Sequence, residues 1–114
     1  MENKKYSLFV GRFQPLHNGH EKLFRTVLNE GKRVCIALRD TGVNESNPYT
    51  IDERREMFLN RFEKEIKEDN LFVITIPDIE EICFGRGVGY GIREISLDKE
   101  TESISATKIR EQNV

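Results

Sequence analysis

Apolar residues follow two rhythms along the chain. Short continuous runs at residues 6–10, 33–38 (RVCIAL) and 71–76 read as buried strands, the last one ended by Pro77. Between the first two, Leu23, Phe24, Val27 and Leu28 recur at helical spacing, which predicts a helix over residues 19–29 stopped by Gly31. Asn18 is its expected N-cap, with Glu21 three residues on as capping-box partner. Thr50 and Glu53 form a second capping box, from which a helix should run to about residue 68 with Phe58, Phe62 and Ile66 on its buried stripe. Residues 40–49 carry Gly42, Asn44, Asn47 and Pro48 and read as a loop. Strand alternating with helix predicts an α/β fold: a Rossmann-like open parallel sheet with right-handed crossovers and helices on both faces.

Beyond Pro77 the rhythm weakens. Residues 80–84 suit a short strand or a helical turn, 86–91 (RGVGYG) are glycine-rich, and 92–97 alternate like a strand. Ser105 is placed to cap a last short helix. With 114 residues and no repeat or linker, residues 1–114 are expected to form one compact domain.

Composition narrows the partners. A net charge of −2 argues against a nucleic-acid binder, while a local cluster of positive groups could still hold a small anion. No apolar run is long enough to span a membrane and the polar start is no signal peptide, so no membrane partner and a cytoplasmic location are the expectation. Cys35 and Cys83 sit among apolar neighbours and read as reduced, buried thiols.

Both histidines of the chain, His17 and His20, fall on one turn at the first strand–helix junction, within GRFQPLHNGH. In an open α/β sheet, ligands bind beyond the carboxyl ends of the strands. Free N–H groups and the helix dipole there favour an anion. Gly19, lacking a Cβ, allows close approach, and two imidazoles add donors suited to phosphate oxygens. Zinc would need a third ligand that the motif does not supply. The helix start near Ser105 repeats the theme: Ser105 and Thr107 offer hydroxyls, and Lys108 and Arg110 place cations where the dipole opposes them unless an anion is bound. Two helix starts aimed at one crevice could hold a polyphosphate.

These two stretches resemble the signatures of a known superfamily. GRFQPLHNGH is similar to the H-x-G-H motif, and ISATKIR to the I-S-x-T-x-I-R motif, of the nucleotidyltransferases that include cytidylyltransferases and nicotinamide-mononucleotide adenylyltransferases. Asn47-Pro48-Tyr49-Thr50 with Glu53-Arg54 resembles the N-P-F-T…E-R stretch of the archaeal-type nicotinamide enzymes. The resemblance implies transfer of a nucleoside monophosphate from CTP or ATP to a small phosphorylated acceptor, with release of pyrophosphate. It implies catalytic roles for His17 and His20, with His20 stabilising charge on the α-phosphate. It implies nucleotide contacts from Gly11, Arg12, Phe13 (through its backbone amide), Gly19, Ser105, Thr107, Lys108 and Arg110. Mg²⁺ would be bound mainly through the nucleotide's phosphates, with no direct protein ligand. The region 77–104 is compressed relative to the superfamily, and its run at 85–90 matches no subfamily signature.

Arg39 and Asp40, at the end of the second strand, are the expected acceptor side. Residues 44–49 read as part of a lid, and Arg54 as structural. A homodimer is expected because a small open sheet gains stability by pairing. The competing reading is a non-catalytic nucleotide-binding regulatory module on the same fold; a P-loop kinase is argued against by the absence of G-x-x-x-x-G-K-[ST].

Overall fold

The computed structural model of the chain describes residues 5–85 and 90–96. Three strands, β1 (Tyr6–Gly11), β2 (Arg33–Asp40) and β3 (Leu71–Pro77), form one parallel sheet in the order β1-β2-β3. Leu8 pairs with Cys35 and Cys35 with Phe72, so alternate residues of all three strands share a face. Helix α1 (Asn18–Leu28) joins β1 to β2, and α2 (Ile51–Arg61) with α3 (Glu63–Lys67) joins β2 to β3.

The order is that of one half of a doubly wound sheet. Both crossovers step in the same direction, so right-handed connections deliver both sets of helices to one face. On that face Val34, Ile36, Leu38 and Leu71 are fully covered by Phe24, Val27, Phe58 and Phe62. The four phenylalanine rings Phe13, Phe24, Phe58 and Phe62 interlock edge-on, tilted or, for Phe58 on Phe62, stacked, at centroid distances of 5.2–6.2 Å. The parallel sheet with its connecting helices is the expected Rossmann-like α/β fold, and among the described residues the core cluster joins α1 and α2 to the face of Val34, Ile36 and Leu38. Tyr6, Leu8 and Phe72, on the other, are exposed.

Several expectations need correction. The N-cap of α1 is His17, not Asn18, and its capping-box partner is His20 rather than Glu21. Glu21 instead faces Arg25 and Arg61 at 3.4 and 3.9 Å. The helix expected to run to residue 68 breaks at Phe62, whose backbone leaves helical geometry (φ −117°, ψ 29°). No proline or glycine stands there. The break accompanies complete burial of the Phe62 ring under the Arg25 guanidinium, 4.9 Å from its centroid, and Arg25 is fixed by Glu65 at 2.5 Å. Residues 80–84 and 92–96 form no regular element. Cys83 is exposed, and Cys35 half-buried, its thiol pKa raised by burial. The run at 86–89 and the helix start at Ser105 lie outside the described residues.

Candidate active site

The turn from β1 to α1 is built by burying what a loop ordinarily exposes. Phe13 turns into the core with left-handed backbone (φ 52°), and its ring lies over Gly11, where an added Cβ would come within 3.0 Å of it. A side chain at residue 11 would therefore press on the Phe13 ring. Gln14, 1% exposed, exchanges two hydrogen bonds with the backbone of Tyr49: its Nε2 donates to the carbonyl at 3.0 Å and its Oε1 accepts from the N–H at 2.9 Å. Arg12 is exposed, and its Nη1 donates to Asn47 Oδ1 at 3.1 Å. Residues 44–49, expected as part of a lid, are pinned to this turn by those three bonds. Asn47 is itself buried and bonded to Asn44.

The two histidines stack, ring centroids 3.6 Å apart and planes 18° from parallel. His17 Nδ1 accepts from the N–H groups of Gly19 (3.1 Å) and His20 (3.4 Å); His20 Nδ1 accepts from the His17 N–H at 3.2 Å. An Nδ1 that accepts must be unprotonated, so each neutral ring carries its proton on Nε2. Burial lowers the His20 pKa to about 3, with smaller contributions from His17 and Arg61, and burial followed by Arg61 lowers that of His17. Both rings are neutral near pH 7. Because the His17 ring takes two of the helix's unpaired N–H groups, the donors left for an anion at this helix start include two Nε2–H groups. The His20 ring is held in place by an edge contact with Phe13 at 4.8 Å.

Arg54 completes the wall. It is fully buried and donates to the carbonyls of Arg12 (2.8 Å) and Arg39 (2.7 Å) through Nη1 and to Thr50 through Nε (3.3 Å). Burial lowers its pKa, partly offset by Asp40. The Arg39 guanidinium is engaged by Asp78 at 2.7 Å and by the Ile79 carbonyl, while Asp40 is exposed. The structure thus brings Gly11, Arg12, Phe13, His17, Gly19 and His20 together, with Arg39 and Asp40 at the neighbouring strand end. Ser105, Thr107, Lys108 and Arg110 lie outside the described residues. Sequence reasoning missed Gln14 and Arg61. A lone glutamine between Phe13 and Pro15, polar inside a buried turn, was the available signal for Gln14. No local pattern marks Arg61.

Residues 8–82 match the model of the cytidylyltransferase-like family, a span holding all of the described site. The chain belongs to that family. Similar family members are nicotinamide-nucleotide adenylyltransferases. That of Thermococcus sibiricus is 43% identical over 75 residues (63% of this chain, 40% of the relative), and that of Thermococcus kodakarensis 40% identical over 78 residues (66% and 42%). A more distant one, from Thermoplasma acidophilum, is 31% identical over 78 residues (67% and 43%). The chain spans about two fifths of the length of these relatives. As in the sequence, no helix among the described residues is long and apolar enough to cross a membrane.

Proposed function

We propose that this chain is a nucleotidyltransferase that moves the adenylyl group of ATP onto a nicotinamide mononucleotide acceptor. The observation that carries the reading is the stacked pair His17–His20 at the carboxyl end of β1, with both Nδ1 atoms acting as caps, so that each neutral ring carries its proton on Nε2. Membership of the cytidylyltransferase-like family supports the reaction class, and the names of the similar proteins support adenine and the nicotinamide acceptor.

In this reading an oxygen of the acceptor's phosphate attacks the α-phosphorus of ATP. The new P–O bond forms as the bond to the β-phosphate oxygen breaks, and pyrophosphate leaves. No protein nucleophile takes part. His20 donates to the α-phosphate as charge develops there, and His17 donates to the phosphates beside it. Ser105, Thr107, Lys108 and Arg110 bind the β- and γ-phosphates, and Arg12 and the Phe13 amide face the nucleotide. Arg39 and Asp40 serve the acceptor, Arg39 by sharing its guanidinium with Asp78. Rings that already accept at Nδ1 and carry a proton at Nε2 do not suit direct metal ligation. Mg²⁺ would be held by the nucleotide's phosphates and water rather than by these side chains, and would supply neutralisation of charge on the leaving pyrophosphate.

The test is pyrophosphate release by the purified chain with each of four nucleoside triphosphates against nicotinamide mononucleotide and a panel of other phosphorylated acceptors. ATP with nicotinamide mononucleotide should give the highest rate and the corresponding dinucleotide in equal amount. Release with CTP and another acceptor would keep the reaction and change the substrates. Binding without release in any pair would favour a regulatory module.

A further inference from the structure

A cation buried in the first turn of a helix opposes both the dipole and the cost of desolvation. Arg54 occupies such a place in α2, with no exposed surface and with Nη2 lacking a hydrogen-bond partner among the described residues. Its bonds do not serve its own helix alone. Nη1 reaches the carbonyls of Arg12 and Arg39, which stand at the carboxyl ends of two neighbouring parallel strands.

The carbonyl of Arg12 and the N–H of Phe13 belong to one peptide unit. Among the described residues the cis bond is Gln14–Pro15, so the Arg12–Phe13 unit is trans. In a trans peptide the C=O and N–H point in opposite directions. A guanidinium that draws the Arg12 carbonyl inward therefore turns the Phe13 N–H outward. The Phe13 ring packs edge-on against His20, Phe24 and Phe58, which ties this peptide to the histidine pair through its side chain. The left-handed conformation of Phe13 is uncommon for a residue with a side chain, and a strained peptide of this kind persists only when its surroundings fix it.

We infer that Arg54 is a positioning residue for the anion site: by holding the Arg12 carbonyl from below, it aims the Phe13 N–H at the phosphates bound above. The inference rests on the proposed function, since it presumes a phosphate ligand at the histidines. It also gives the peptide a second property. An anion accepting from the Phe13 N–H polarises the same unit and strengthens the bond between its carbonyl and Arg54. Arg54 thus senses occupancy without touching the ligand.

The test is a titration of the isotope-labelled wild-type chain with inorganic tripolyphosphate, followed by nuclear magnetic resonance at the Phe13 amide, the Arg54 Nη–H groups and the two imidazoles. The Phe13 and Arg54 signals should move together along one binding curve. If the imidazole signals respond and those of Phe13 or Arg54 do not, this inference is overturned and the functional reading stands. If nothing responds, the functional reading falls and this inference with it. Arg54→Lys provides the second arm, because an ammonium keeps the charge but not the fork that spans two carbonyls. Measured well below its melting temperature, it should bind tripolyphosphate about tenfold more weakly and show a smaller Phe13 response. An Arg54→Lys protein that is merely less stable, with wild-type affinity and response, would show a structural role alone.

Discussion

At the scale of single residues, the histidine pair is one device with two functions. Each Nδ1 closes the capping box of α1, which puts the proton of each neutral ring on Nε2. His20→Ala should fold, at a cost of about 1 kcal/mol for a weakened cap. Loss of a donor to transition-state charge should lower turnover roughly 10²–10³-fold. Circular dichroism, urea titration and pyrophosphate release on one preparation check both halves, and near wild-type turnover would remove His20 from the mechanism. The same residue makes stability depend on pH. Unfolded histidine binds a proton below about 6.5, while folded His20, buried and facing His17 and Arg61, stays neutral to about 3. In that window the unfolded chain holds more protons, so stability falls as pH falls, by up to about 1.4 kcal/mol per pH unit from this group. Urea midpoints at pH 7, 6 and 5 should decline more steeply for the wild type than for His20→Ala. Parallel declines would mean that the carboxylates alone set the acid response.

At the scale of elements, the two faces of the sheet should answer mutation differently. Ile36 is fully buried under Phe24 and Phe58, and Ile36→Ala should cost about 2–5 kcal/mol. Leu8, one face over and 60% exposed, should tolerate Leu8→Ala within about 0.5 kcal/mol. Equal losses in urea titration would show that the face bearing Leu8 is covered in solution. All three strands are legible in the sequence to within two residues, because each is a continuous apolar run, even though Tyr6, Leu8 and Phe72 on one face are exposed. The Thr50–Glu53 box was legible because its side chains cap in the ordinary way. The cap of α1 was misplaced by one residue because imidazole is not an expected cap and Asn18 beside it is. The break at Phe62 left no trace, since no proline or glycine causes it and the Arg25–Glu65 bridge that accompanies it spans 40 residues of sequence. The sequence marks Arg54 as structural but hides its burial: Glu53-Arg54-Arg55 looks like a solvated helix start, and only the fold brings two strand ends onto it. Chemistry at the site was legible where it is local, as with His17 and His20. It was illegible where it depends on packing between distant segments, as with Gln14 on Tyr49.

At the scale of the whole molecule, the carboxyl edge of the sheet is a single ledge. The histidine pair stands at the end of β1, Arg39 and Asp40 at the end of β2, and Arg54 and Gln14 tie both to the segment that begins α2. A ligand on this ledge touches groups that exist in one arrangement only when the core beneath is folded: Phe13 links His20 above to Phe24 and Phe58 below. Binding and global stability are therefore linked, because the unfolded chain offers no paired donors. ATP at 100 times its dissociation constant should add about 2.7 kcal/mol to stability, which for a domain of this size raises the melting temperature by roughly 10–20 °C. The net charge of −2 gives the molecule no general attraction for anions, so the shift should track the phosphate chain rather than total ligand charge. Tripolyphosphate should reproduce part of the shift, adenosine little of it, and His17→Ala with His20→Ala should abolish most of it. Thermal melts with ATP, CTP, GTP and UTP in parallel decide the case: ATP should stand apart, and four superimposable curves at the ligand-free melting temperature would exclude a nucleotide site on this ledge.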